Sequence, residues 1–315
     1  MKIAIMEPLG ITADELAACK KPFEDEGHVF VDYARTTDVA TLKEEVADID
    51  AMILANMPMP AEVIDAAPNL KYIDIAFTGV DHVGLDAARA RGIKASNASG
   101  YSTEAVAELA LSMALSLARN IRQVEDRCRA GEAKDGLVGF ELKGKTVGIV
   151  GLGKIGTRSA ELFHAFGCDI LAHSRSTHDD APSYVVQCDL DTLLKDSDIV
   201  VLHCPLTDST KGLINKEKLA LMKKTAMLIN VARGPVVVTA DLAEALENGT
   251  IACAGIDVFD KEPPLNQDEP LIHAPHTLVT PHVAFATKES MRLRAEIVFE
   301  NLKGFLEGKI LNQVQ

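Results

Sequence analysis

The sequence predicts an α/β protein built from two doubly wound parallel sheets, and three observations lead there. Short apolar runs alternate with longer amphipathic stretches, the rhythm of strand, helix, strand in parallel sheets. The rhythm starts at Lys2 and starts again at Thr146. Just past the restart the chain reads VGIVGLGKIG, a glycine-spaced loop set between an apolar run and a helical stretch.

The first set of strands is expected at KIAIM (2–6), HVFVD (28–32), AMILA (51–55) and KYIDI (71–75). The second is expected at TVGIV (146–150), DILAH (169–173), DIVVL (198–202), AMLIN (226–230) and IACAGIDV (251–258). Between the sets, residues 102–131 contain no proline and no internal glycine, and Ser102 or Thr103 can serve as N-cap. A single helix of about 28 residues is expected there, roughly 40 Å long and able to cross from one domain to the other. Its apolar residues wrap much of its circumference in the first half, which suits a subunit interface or dense packing within the chain. The closing stretch ESMRLRAEIVFENLKGFLEG is amphipathic and follows the second set of strands, so it can return to the first domain and make that domain discontinuous.

The 315 residues suffice for two domains, and the hydrophobic fraction of 47% is ordinary for a compact protein. No apolar run reaches the length of a membrane span, and MKIAIMEPLGITADE reads as a buried first strand rather than a signal peptide. The net charge of -14, from 32 basic and 46 acidic residues, is spread without a basic run, which argues against nucleic acid or an anionic membrane as partner. Cys19, Cys128, Cys168, Cys188, Cys204 and Cys253 are widely spaced with no C-x-x-C pair, the usage of reduced thiols in a cytoplasmic protein.

In the glycine loop, Gly151 permits the tight turn, Gly153 lets backbone N–H groups approach a pyrophosphate, and Gly156 lets helix and strand pack closely. The helix N-terminus adds partial positive charge for the phosphates. A ligand-free tight turn is the alternative. At the end of the next strand an acid would bind both ribose hydroxyls and repel a 2′-phosphate, whereas this chain has Ser174, Arg175 and Ser176. Hydroxyl donors and a guanidinium favour NADP(H) over NAD(H); Arg175 stacked on the adenine of NAD, or simply solvated, is the alternative.

Three further stretches carry chemically capable residues where strands should end: NVARGPVVV with Arg233, GIDVFDKEPP with Asp257 and Glu262, and TPHVAFAT with His282. Open parallel sheets bind ligands beyond the carboxyl ends of their strands, so these loops should converge on the cofactor crevice. With VGIVGLGKIG, LHCPLT and AFTGVDHVGLD, they occur in an order that resembles the D-isomer-specific 2-hydroxyacid dehydrogenases, the family of glycerate dehydrogenase, hydroxypyruvate reductase and D-lactate dehydrogenase, over residues 2–308.

The resemblance implies a Rossmann dinucleotide domain (99–288) inserted into a flavodoxin-like substrate domain (1–98 and 289–315), a small 2-oxo or 2-hydroxy acid as substrate, and a homodimer. Arg233 is then the substrate anchor, His282 the acid and base that exchanges a proton with the 2-oxygen, and Glu262 the partner of the far imidazole nitrogen. Asp257 is assigned to cofactor binding. Thr103, Lys154, Ile155 and Ala284 are expected at the nucleotide, as are His203 and Pro205 of LHCPLT and Val231 and Ala232 of NVARG. On the substrate side, backbone N–H groups of Thr78, Gly79 and Val80 are expected to hold the carboxylate. Met57, with Asn56, Pro58 and Met59 around it, is expected to form an adaptable apolar wall for the R group, closed on the other side by Phe285.

Asn97-Ala98-Ser99-Gly100 departs from the Asn-x-Pro-Gly frequent in relatives, so a different local turn is expected at the crossover. His273 and His276 lie near His282 but in a proline loop without a companion ligand set, and no metal is expected. Two rivals remain: a formate-dehydrogenase-like enzyme, whose relatives pair the histidine with an amide rather than a carboxylate, and a nucleotide-sensing regulatory protein of the same fold.

Overall fold

The computed structural model describes residues 1–262 and 264–314; Pro263 of the DKEPP stretch and Gln315, the last residue of the expected substrate domain, lie outside the described residues. The chain divides into two compact units, Met1–Ser102 with Ala286–Gln315, and Thr103–Phe285. No helix among the described residues is long and apolar enough to cross a membrane.

The first unit alternates strand and helix: β1 (Lys2–Ile5), α1 (Ala13–Asp25), β2 (Val29–Asp32), α2 (Val39–Glu45), β3 (Ala51–Leu54), α3 (Ala61–Asp65), β4 (Tyr72–Ile75), α4 (Leu85–Ala90) and β5 (Lys94–Asn97). The five strands lie parallel in the order β2-β1-β3-β4-β5, the flavodoxin-like arrangement. β3 and β4 are buried at every residue, as strands covered on both faces must be, which is why they read as continuous apolar runs. β5, KASN, was not anticipated because its sequence is polar, yet its last three residues are buried.

The second unit contains α5 (Thr103–Ala118), α6 (Ile121–Arg129), β6 (Thr146–Val150), α7 (Lys154–Ala165), β7 (Asp169–His173), β8 (Val185–Gln187), α8 (Leu190–Asp196), β9 (Ile199–Leu202), α9 (Lys216–Leu219), β10 (Met227–Asn230), α10 (Thr239–Glu247), β11 (Cys253–Ile256), α11 (Pro270–His273) and β12 (Thr277–Val279). Its seven strands run parallel as β12-β11-β10-β9-β6-β7-β8, with the reversal of winding between β6 and β9. Period-two alternation feeds two cores: Ile199 and Val201 join Phe163 and Met113 on one face, while Val200 and Leu202 join Leu193 and Leu242 on the other. The short strands β8 and β12 escape sequence reading because three residues carry no period.

The single long helix expected at 102–131 is not formed. α5 stops at Ala118, and Asn120 adopts φ 51, ψ 38 before α6 begins. The cause lies in residues distant in sequence: the Phe140 N–H donates to the Ala118 carbonyl at 2.9 Å, taking the acceptor that continued helix would use. Both helices belong to the second unit.

The last helix, α12 (Lys288–Leu306), opens with a capping box at Thr287 and Ser290 and belongs to the first unit, which is discontinuous in sequence. Phe299 packs against Phe23 and Phe30, and Phe305 stacks on Tyr72 with centroids 4.3 Å apart. Asn301, fully buried, donates to Asp74 Oδ1 at 3.1 Å and to the Asn97 carbonyl at 3.0 Å. Asp74 is itself fully buried, and burial raises its carboxyl well above the ordinary range against the smaller opposing effects of Asn301 and the nearby Tyr72 hydroxyl. A carboxyl raised on folding contributes stability that is present below the unfolded value, about 3.9, and is lost as pH rises through the folded value. Asp74→Asn, which takes up no proton, is therefore expected to raise the midpoint of thermal unfolding at pH 7, with the gain shrinking toward pH 4; a pH-independent difference between the two proteins would refute this origin.

Candidate active site

The glycine loop joins β6 to α7. Gly151 has φ 102, where a side chain is strained, and a Cβ there would also lie 2.6 Å from the Cys204 nitrogen. At Gly156 a Cβ would lie 1.9 Å from the Gly151 carbonyl, so helix and strand approach as closely as the sequence suggested. Gly153 differs from both: its φ of -82 suits any residue, and a Cβ there would meet nothing within 4 Å. Neither backbone geometry nor packing calls for glycine at 153. Close approach of a ligand would, as a dinucleotide pyrophosphate at this loop requires.

α7 is also left without a side-chain cap at Gly153, whereas α1, α2, α8 and α12 each have one. Its first N–H groups therefore face outward at the positive end of a 12-residue helix. Across the switch point, His203 follows β9. Its residue keeps partial exposure, but Nε2 is buried without a hydrogen-bond partner, and burial pushes the ring down to about 3, so it is neutral at physiological pH. At the end of β7, Ser174 Oγ donates to the Ser176 carbonyl at 2.6 Å, so its proton is spent within the turn. Arg175 is exposed, and its guanidinium bonds to none of the described residues.

Arg233, Asp257, Glu262 and His282 follow the ends of β10, β11 and β12, which are neighbours in the sheet. Asn230 ends β10 and is 1% exposed; its side chain accepts from the Ala232 N–H at 3.1 Å and donates to the Arg233 carbonyl at 2.9 Å, holding the turn that carries the guanidinium. His282 has φ 55, uncommon outside glycine, and its Nδ1 lies 2.5 Å from Glu262 Oε2. Phe285 meets the imidazole edge-on, centroids 5.4 Å apart.

Asp257, expected at the cofactor, is bonded to the segment that carries His282. It is fully buried: Oδ1 accepts from the Thr280 hydroxyl at 2.5 Å and the Val283 N–H at 2.9 Å, and Oδ2 from the Ala284 N–H at 2.9 Å. Its task is to position the His282 segment. Thr280 shares that task and Asn230 holds the Arg233 turn; for Asn230 the sequence signal is a lone polar residue closing an apolar strand, as in AMLIN.

In the first unit, the N–H groups of Thr78, Gly79 and Val80, after β4, make no hydrogen bond to the described residues. The loop is braced by Asn97, whose Nδ2 donates to the Thr78 carbonyl at 2.7 Å. Met57, expected at the wall for the R group, and Met59 are both 0% exposed. His273 Nε2 lies 2.5 Å from the Gln267 carbonyl, a local loop contact.

A switch-point glycine loop with an arginine, a histidine and its carboxylate at adjacent strand ends defines a nicotinamide-dependent dehydrogenase class of site. Residues 111–284 match the model of the D-isomer specific 2-hydroxyacid dehydrogenase NAD binding domain. The chain is 42% identical over 278 residues to a glyoxylate reductase of Thermofilum pendens, covering 85% of this chain and 82% of that protein. It is 32% identical over 327 residues to a hydroxypyruvate reductase of Blautia hydrogenotrophica, covering 100% and 99%. A glyoxylate reductase structure from Paecilomyes thermophila superposes with a TM-score of 0.89 at 27% identity, covering 100% of this chain and 98% of that one. The protein belongs to the D-isomer specific 2-hydroxyacid dehydrogenase family and is an oxidoreductase that uses a nicotinamide cofactor. The sensor and formate-dehydrogenase alternatives fit these relatives less well.

The glycines make separable predictions. Gly156→Ala should lower the unfolding midpoint through its clash with Gly151. Gly153→Ala should leave that midpoint near wild type yet weaken nucleotide binding at least about tenfold, or roughly 1.4 kcal/mol. Equal effects of both substitutions on both readouts would contradict the assignment of Gly153 to ligand approach.

Proposed function

We propose that the protein reduces a small 2-oxo acid to a D-2-hydroxy acid, with NADPH preferred over NADH. One observation carries the residue roles: the Glu262–His282 contact of 2.5 Å at strand ends adjacent to the Arg233 turn. A reduced dinucleotide, its pyrophosphate held by the Gly151–Gly156 loop, would supply hydride for C2 of the substrate. Arg233 holds the substrate carboxylate and keto oxygen and stabilises negative charge developing on that oxygen. His282 donates its Nε2 proton to the same oxygen, leaving the alcohol, and takes a proton back in the oxidative direction. Glu262 engages Nδ1, which fixes the ring and leaves Nε2 directed at the substrate. Thr78, Gly79 and Val80 contribute N–H groups to the carboxylate, and their uncommitted state supports the assignment. Thr103, Lys154, Ile155, His203, Pro205, Val231, Ala232 and Ala284 line the nucleotide, several through backbone, since Val231, Ala232 and Ala284 are buried.

Arg175 carries the coenzyme preference, as an exposed guanidinium with no bond to the described residues at the strand end facing the adenosine ribose. A homodimer is supported by an apolar groove of about 440 Å3 in the second unit, lined by Leu111, Leu115, Ile121 and Leu162, with Val138 and Phe140 exposed nearby in sequence. Free cysteines support a reducing, cytoplasmic setting.

Oxidation of NADPH and NADH with a panel of 2-oxo acids tests the activity directly. His282→Ala should lower kcat by about two to four orders of magnitude with nucleotide affinity retained; a variant turning over at the normal rate would exclude proton delivery by this ring. For Arg175→Ala, the ratio of kcat/KM with NADPH to that with NADH should fall about ten- to a hundredfold. A ratio that stays put would remove Arg175 from coenzyme choice.

A further inference from the structure

We propose that the first unit reads a second anionic group, a carboxylate or phosphate, on the substrate's side chain, with Arg35 and Asn56 as its donors. The inference rests on the reading above in which Thr78, Gly79 and Val80 hold the substrate's own carboxylate.

The donors sit at the carboxyl ends of β1, β2 and β3, the switch point of the five-stranded sheet, where such sheets bind ligands. Glu7 follows β1, and its side chain is 4% exposed. Its Oε1 accepts from the Ala55 and Met57 N–H groups, each at 2.8 Å, and its Oε2 accepts from Arg35 Nη1 at 3.0 Å. One buried carboxylate thus fixes both the loop after β3 and the guanidinium that reaches over from the β2 side.

Arg35 Nη1 also donates to Asn56 Oδ1 at 2.7 Å. An arginine offers only donors, so the amide must turn its oxygen toward Arg35 and its NH2 away. Arg35 Nε and Nη2 and Asn56 Nδ2 make no hydrogen bond to the described residues. A rigidly held guanidinium edge beside an amide NH2 is a donor set for a planar or tetrahedral oxyanion.

Charge points the same way. Arg294, 3% exposed, donates to the Leu9 carbonyl at 2.5 Å and lies over the Tyr101 ring, within electrostatic reach of Glu7. The accessible residues of this loop are Asn56 and Pro58, while Met57 and Met59 are buried.

Reach fixes the size of the substrate. β3 is next to β4, and β1 is next to β3, so Asn56 and the Glu7–Arg35 pair stand one and two strand spacings from the Thr78–Val80 loop, roughly 5 to 10 Å. The two loops are tied together by His82, whose Nε2 lies 2.8 Å from the Ala55 carbonyl and whose own carbonyl accepts from Met59 at 2.9 Å. That interval suits a 2-oxo acid of about three to five carbons ending in a carboxylate or phosphate.

Steady-state kinetics on the full chain test this with matched pairs: 2-oxoglutarate against 2-oxopentanoate, and 3-phosphohydroxypyruvate against hydroxypyruvate. The wild type should favour at least one anionic member over its uncharged counterpart by tenfold or more in kcat/KM, and which pair shows it tells carboxylate from phosphate. Arg35→Ala should reduce that ratio at least tenfold, chiefly through KM; Arg35→Lys, which keeps the charge and the Glu7 pair but loses the fork, should fall between. A wild type with no preference in either pair overturns the inference, as does a ratio unmoved by both substitutions. Reduction of glyoxylate with no anionic preference would leave the dehydrogenase reading standing, whereas failure to reduce any acid of the panel would remove both.

Discussion

Asp257 spends both carboxylate oxygens on one short segment, residues 280–284, and the chemistry of the second unit depends on that. His282 sits inside the segment at φ 55, a conformation that costs an ordinary residue about 1 to 2 kcal/mol. Three hydrogen bonds to a fully buried carboxylate, each worth about 1 kcal/mol, are enough to hold it. The strained backbone aims the imidazole so that Nδ1 meets Glu262 and Phe285 meets the ring edge. A buried carboxylate therefore sets the geometry of the more exposed groups around it.

The sheet makes this economical. Adjacent parallel strands end side by side, so three loops distant in sequence arrive within a few strand spacings of one another. Asp257 extends β11 by one step, taking the Asn230 carbonyl on its N–H at 3.0 Å and giving its own carbonyl to the His282 N–H at 2.7 Å. The ladder thus continues past the last strand residues into the turns, and the Arg233 and His282 segments inherit the register of β10 and β12. Loops anchored in this way combine exposure of side chains with the precision of the sheet.

Much of this was legible in the sequence, and the gaps have identifiable causes. Strands of four or five apolar residues declared themselves, and the positions of Gly151, Arg233, Glu262 and His282 after strand ends were readable because each lies within a recognisable string. The break after Ala118 did not, since its cause is a hydrogen bond from Phe140, which local pattern cannot contain. The burial of Met57 is not legible either, because a methionine after a strand reads alike whether it turns into the core or toward a ligand. Arg35 was passed over for the converse reason. A single arginine in YARTTD has no period and no string around it, and its meaning comes from Glu7 and Asn56, which meet it only in the folded sheet.

A protein of net charge -14 that binds a dinucleotide and an organic acid must attract anions against its own field. Screening makes this possible, for at physiological ionic strength charges more than about 8 Å apart interact weakly, and the groups in contact decide. The chain concentrates its anion-binding capacity accordingly: the uncapped start of α7, the exposed guanidinium of Arg175, the turn carrying Arg233, the uncommitted N–H groups after β4, and Arg35 at the β1–β3 edge. Each stands at the carboxyl end of a strand or the amino end of the helix that follows one, where backbone dipoles add to the side chains. Carboxylates stand among these groups too, but Glu7 and Asp257 are buried and spend their oxygens on hydrogen bonds within the protein.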